Sequence, residues 1–181
     1  VEKRHADGCA ISVRQRPGKP TQGFLRIGGL TVPCSLGRSG ITALKREGDG
    51  ATPLATLRPL GVLFRRDRRR NGIGPVRLPS LPVLPGFGWC DAPEDPNYNR
   101  PVPLPFRASH EKMRRSDRLY DVCIVLDWNT LPRRRYRGSA IFLHIAHEGL
   151  QPTEGCIAVC PRVMARILPL LTRRTRFVVM R

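Results

Sequence analysis

Prolines and glycines punctuate this chain so densely that no long helix fits between them. Eighteen Pro and seventeen Gly are spread along 181 residues, and the stretch 75–105 is packed with prolines. Proline lacks the backbone N–H that a helix interior or a central strand uses, and glycine favours turns. Short strands joined by many turns are what this spacing allows.

Between those punctuation marks the apolar runs are short. Residues 24–27, Gly28-Gly29 and residues 30–34 read as a tight hairpin, and 60–64 as a further strand. Residues 121–128 (DVCIVLDW) and 139–146 (SAIFLHIA) are the strongest strands, apolar enough for a sheet buried on both faces. Residues 175–180 close the chain as a last strand. Pro161 suits the first turn of a helix, and Val163, Ile167 and Leu170 recur at helical spacing. Pro169 limits that helix to about two turns. The fold expected is mainly β with one short C-terminal helix. Residues 1–21 read as a basic N-terminal segment, with Cys9 to Val13 a candidate first edge strand, and residues 22–181 as a single domain.

Charge is the compositional outlier. Lys and Arg number 32 against 14 Asp and Glu, a formal +18, and only four of the basic residues are lysine. Such a field favours anionic partners: nucleic acid, an anionic membrane face or an acidic polymer such as cell wall. Arginine recognises carboxylate as well as phosphate, so charge does not choose among them. A basic nucleic-acid-binding module is the rival reading, but the chain has few aromatics for base stacking and no RNP-like or zinc-finger motif. The arginine runs at 65–70 and 133–137 read as solvated surface. No apolar run of about 18 residues is present, so no transmembrane helix is expected. Residues 1–20 carry no signal-peptide pattern, and a first residue of Val fits a leader already removed. The six cysteines (Cys9, Cys34, Cys90, Cys123, Cys156, Cys160) form no CxxC pair, so neither a zinc ribbon nor a disulfide scaffold is indicated.

Chemistry concentrates in Phe142-Leu143-His144-Ile145-Ala146 and Pro152-Thr153-Glu154-Gly155-Cys156-Ile157-Ala158. A histidine ends one apolar strand, and a cysteine follows a glycine ahead of the next. A nucleophilic cysteine needs a base within hydrogen-bond reach and donors for an oxyanion. Gly155 lets the backbone pass close to a substrate carbonyl, and the N–H of Cys156 can point at it. On spacing alone, a buried structural cysteine and a structural histidine stay as alternatives.

The same residues resemble the L,D-transpeptidase family, the YkuD-type catalytic domain, whose signature is a strand histidine followed by [S/T]-H-G-C and an apolar residue. His144 and Thr153-Glu154-Gly155-Cys156-Ile157 stand at those places. Gly50-Ala51-Thr52-Pro53 is similar to the family's G-x-T-P segment. Gly37-Arg38-Ser39-Gly40, Lys45 to Gly50, Trp89-Cys90-Asp91, Tyr98-Asn99-Arg100 and Ser109-His110-Glu111 resemble a proteobacterial branch of it. The resemblance spans about residues 24–181. Two positions depart: the motif histidine before Gly-Cys is Glu154, and the arginine common two residues after the cysteine is Ala158.

What the resemblance implies is a β-sandwich-like catalytic domain with Cys156 as nucleophile and His144 as general base, an imidazolium lowering the thiol's pKa. Backbone N–H groups of Gly155 and Cys156 would hold the oxyanion. Thr153, Glu154, Trp89, Tyr98, Asn99, Arg100 and His110 would contact substrate, with Arg100 or Arg162 taking the place of the missing arginine. The substrate implied is a peptidoglycan stem tetrapeptide, which loses its terminal D-alanine and is joined to a second stem's amine. No metal or organic cofactor is implied. Carbapenem-type β-lactams are implied as inhibitors, and the periplasm as the place of action. A catalytically silent member that only binds peptidoglycan is the alternative within the family.

Overall fold

The computed structural model describes residues 10–68 and 74–181. Cys9, with the residues before it, and Arg69 and Arg70 of the arginine run lie outside the described residues. The strands are β1 (Ala10–Arg16), β2 (Lys19–Ile27), β3 (Leu30–Ser35), β4 (Ile41–Thr42) and β5 (Thr52–Pro53). They continue as β6 (Thr56–Leu57), β7 (Pro59–Phe64), β8 (Ser80–Pro82), β9 (Phe87–Cys90) and β10 (Arg100–Pro103). Then come β11 (His110–Lys112), β12 (Val122–Leu126), β13 (Phe142–Ile145) and β14 (Ile157–Val159), helix α1 (Pro161–Ile167) and β15 (Arg176–Met180). The protein is mainly β with one short C-terminal helix. No helix among the described residues is long and apolar enough to cross a membrane.

Ten strands form one sheet in the order β6-β15-β1-β2-β3-β14-β13-β12-β7-β8, beside a three-stranded sheet β10-β9-β11 and the pair β4-β5. β2 and β3 are the expected hairpin, Ile27 facing Leu30 across Gly28-Gly29. β1 is not an edge: it runs parallel to β15 and antiparallel to β2. A division after residue 21 therefore falls inside β2, and the chain from Ala10 onward is built into the sheet. Alternation explains why, since Ile11 and Val13 are fully buried while Arg14 and Arg16 point to water.

The registers assign the two faces of the sheet. Ile124 lies beside Leu143, Leu143 beside Ile157, and Val62 beside Ile124. With Val13, Leu25 and Phe177 they make the larger core, which α1 covers through Val163, Met164 and Ile167. The opposite face of β7, β12 and β13 carries Leu63, Cys123, Val125 and Phe142. The small sheet closes that side with Trp89, and Met113 and Tyr120 pack there too. Burial on both faces is what the continuous apolar runs of β12 and β13 require.

The proline-rich stretch 75–105 builds the edges. Pro82 stands in β8, the end strand of the large sheet, and Pro101 and Pro103 stand in β10, an edge of the small one. An edge strand tolerates the missing donors on its open side. Pro161 opens α1 at its first position, and the helix passes at Leu168–Leu170 into a 3-10 turn containing Pro169.

One surface expectation is corrected. Arg65 is 5% exposed. It forks onto Asp67 through Nε (2.8 Å) and Nη2 (2.7 Å), and Nη1 donates to the Arg115 carbonyl at 2.7 Å. A guanidinium so satisfied can be buried. Residues 134–137 are exposed.

Candidate active site

The parallel pairing of β13 with β14 sets His144 beside Ala158. Cys156 is two residues before Ala158, so its side chain emerges on the same face as His144, diagonally across the pair. That is the face carrying Phe142 and Cys123, under the small sheet. The Phe142 N–H donates to Cys156 Sγ at 3.3 Å, and the thiol donates to the Ala140 carbonyl at 3.2 Å. Cys156 and His144 both line a cavity of about 380 Å³ whose walls include Glu111, Asp91, Tyr120 and Thr153.

The tautomer of His144 follows from its partner. Nδ1 lies 2.8 Å from the Ile145 carbonyl oxygen. A carbonyl only accepts, so Nδ1 carries the hydrogen and Nε2 keeps a free lone pair, as a general base needs. The Tyr120 ring packs edge-on against the imidazole, centroids 5.1 Å apart. Burial holds His144 down at about pKa 4. Burial, with the Glu111 carboxylate adding to it, pushes the Cys156 thiol up to about 12. The resting pair is therefore neutral thiol and neutral imidazole, not the expected thiolate and imidazolium.

The loop ahead of Cys156 is held by backbone. Arg38 N–H donates to the Thr153 carbonyl (2.8 Å), and Thr153 N–H to the Leu36 carbonyl (2.9 Å). The Thr153 hydroxyl donates to the Cys156 carbonyl at 2.6 Å and accepts the Gly155 N–H at 3.2 Å. Gly155 sits at φ +130°, where a Cβ would lie 2.8 Å from the Ala51 carbonyl oxygen. Only glycine fits there. Glu154 points outward and pairs with Arg38 at 2.8 Å.

The family model for the YkuD L,D-transpeptidase catalytic domain matches residues 19–179. The chain belongs to this family. No curated protein matches the sequence. Among solved structures it is similar to Mycobacterium tuberculosis L,D-transpeptidase 1, at 13% identity and a TM-score of 0.40. That alignment covers 95% of this chain and 62% of that one.

Within this L,D-transpeptidase domain, the structure brings together Cys156, His144, Thr153 and Glu154 around the cavity and sets the other expected substrate residues apart from it. Trp89 lies beneath, edge-on to Phe142 at 5.2 Å between centroids. Asn99 is buried, and its Oδ1 accepts both the Trp89 Nε1–H and the Ala140 N–H, each at 3.0 Å. Its Nδ2 donates to the Trp128 and Asn129 carbonyls. Tyr98 is buried with its hydroxyl donating to Glu47. These three are scaffold: their polar atoms are spent on protein partners. Arg100 and Arg162 are exposed and line none of the cavity. The arginine at the cavity is Arg115, whose guanidinium is paired with Asp117.

His110 faces away, its Nδ1–H donating to the Ala108 carbonyl, in a separate groove with Phe106. Its neighbour Glu111 points into the cavity, since successive strand residues face opposite sides. Glu111 pairs in register with Trp89, and Asp91, two residues on from Trp89, shares that face. His147, on the turn beyond β13, also reaches the rim. Among the described residues no group of three or more His, Cys, Asp or Glu is placed to hold a metal ion. Cys34, Cys90, Cys123, Cys156 and Cys160 are all free thiols.

Proposed function

We propose that this domain is a peptidoglycan L,D-transpeptidase working through an acyl-enzyme on Cys156. The observation that carries the reading is the pairing of Cys156 with His144 on one face of adjacent parallel strands, both open to one cavity, with Nδ1 of His144 tied to a carbonyl. His144 Nε2 takes the thiol proton as sulfur attacks the carbonyl of the penultimate residue in a stem tetrapeptide. The C–S bond forms, the C–N bond breaks, and terminal D-alanine leaves with the proton from His144. A second stem's amine then attacks the thioester. A new C–N bond forms, the C–S bond breaks, and sulfur regains its proton through His144. Because the Gly155 N–H is engaged by Thr153, the backbone N–H of Cys156 is the loop donor assigned to the oxyanion.

On this reading the domain would act in the periplasm, and a carbapenem would acylate the same sulfur. The test is incubation with disaccharide-tetrapeptide. The wild type releases D-alanine and forms a crosslinked dimer, and Cys156→Ala does neither. His144→Ala loses acylation with its circular dichroism unchanged. Full turnover by Cys156→Ala would overturn the proposal.

A further inference from the structure

The cavity holds a second set of chemical groups that the dyad mechanism does not use. Glu111, from β11, reaches in from the small sheet. One of its oxygens, Oε1, accepts the Tyr120 hydroxyl at 2.5 Å. Tyr120 itself is 5% exposed and its ring touches His144, so this carboxylate stands one side chain from the general base. Its charge is also felt at the Cys156 sulfur. Asp91 lines the same wall, and its Oδ1 is buried with no hydrogen-bond partner. A buried carboxylate oxygen left bare awaits a donor.

The cavity's own cations are committed elsewhere. Lys45 Nζ donates to Asp49 (2.5 Å) and to the Arg46 carbonyl (2.8 Å). Arg115 forks onto Asp117. Glu111 and Asp91 thus face the cavity without a cation of its wall paired to them, and what complements them is a small cation with several N–H donors.

We propose that Glu111 and Asp91 form the acceptor subsite, binding the incoming amine as an ammonium ion, and that Glu111 takes its proton. The inference rests on the acyl-enzyme reading above and names how its second half works. At neutral pH a primary amine is protonated and has no lone pair to attack with. R–NH3⁺ gives one proton to the Glu111 carboxylate and becomes R–NH2. The free amine attacks the thioester carbonyl, the C–N bond forms, and the second proton passes through His144 to the departing sulfur. The proton on Glu111 is then lost to water. The order suits the electrostatics. Burial keeps the resting thiol protonated, and while Glu111 is ionised its charge adds to that opposition to a thiolate. Once it has taken the ammonium proton it is neutral, and no longer opposes sulfur as a leaving group.

The experiment separates the two half-reactions in Glu111→Gln, which keeps the side chain's shape. D-alanine release from tetrapeptide reports acylation, and capture of the thioester is measured with two nucleophiles. One is a stem tripeptide bearing a primary amine, charged at neutral pH; the other is hydroxylamine, uncharged there. Expected are acylation and capture by hydroxylamine no slower than in the wild type, since Gln removes a charge that opposes the thiolate, and a loss of about 100-fold in capture of the tripeptide, the lower end for a general base. Equal loss toward both nucleophiles, or none toward the tripeptide, would overturn the inference. Absence of acylation in the wild type would instead sink the transpeptidase reading. If Glu111→Gln fails to fold, Asp91→Asn decides: a raised half-saturating tripeptide concentration with D-alanine release unchanged supports the subsite, and an unchanged value overturns it.

Discussion

His144 shows how one residue's surroundings set a protein's response to acid. Its folded pKa, about 4, lies below the ordinary 6.5 because the ring is buried. Between those values the unfolded chain binds the proton more readily than the folded one. This contribution to stability is complete above pH 6.5, is lost as pH falls from 6.5 to 4, and is gone below that. A shift of that size is on the order of 3 kcal/mol. Urea unfolding at pH 7.5 and pH 4.5 checks it: wild type should lose more stability than His144→Gln over that interval, and equal losses would contradict it. At this scale Cys156 and His144 stood out through the resemblance to the family signature, spacing alone having left both open as structural residues, and the structure sets the two on one cavity. Glu111 did not stand out. One residue of strand parity separates it from His110, and only the register of β11 on β9 tells which of the two faces the cavity.

At the scale of elements, β13 and β14 do the decisive work, because a parallel register turns a separation of twelve residues into diagonal neighbours on one face. The runs 121–128 and 139–146 each hold the expected buried strand, shorter than the run, as Val122–Leu126 and Phe142–Ile145, since continuous apolar sequence has few other uses. The stretch 75–105 was opaque beyond the exclusion of a long helix. Its strands are only three or four residues long, and edge strands rich in proline carry little periodicity. Asn99 ties that stretch to the site. It accepts the N–H of Ala140, whose carbonyl receives the Cys156 thiol, and it holds Trp89 under Phe142. Asn99→Ala leaves the Trp89 and Ala140 N–H groups and two loop carbonyls without it. Each unsatisfied buried group costs about 1–3 kcal/mol where water cannot replace the partner. A net loss of about 2–4 kcal/mol in chemical denaturation is expected, with reduced acylation in the folded fraction. A loss under about 0.5 kcal/mol, the range of ordinary surface changes, would show that the scaffold does not depend on it.

At the scale of the whole molecule, half of the acids among the described residues stand in ion pairs: Asp49, Asp67, Asp117, Asp121, Glu94 and Glu154 each pair with a base. The surplus of arginine stands on the outside, as at Arg14, Arg16 and Arg26 on the exposed face of β1 and β2. The wall polymer of the proposed function is anionic, and a field of this sign draws it in without selecting a residue. Selection falls to the cavity. The most direct measurement is peptide mapping of the protein after a short reaction with disaccharide-tetrapeptide. Residues 138–162 form one tryptic peptide holding both Cys156 and the exposed Cys160. The account predicts an acyl mass on Cys156 in that peptide, absent from Cys156→Ala. An adduct on Cys160, or one that survives Cys156→Ala, would contradict it.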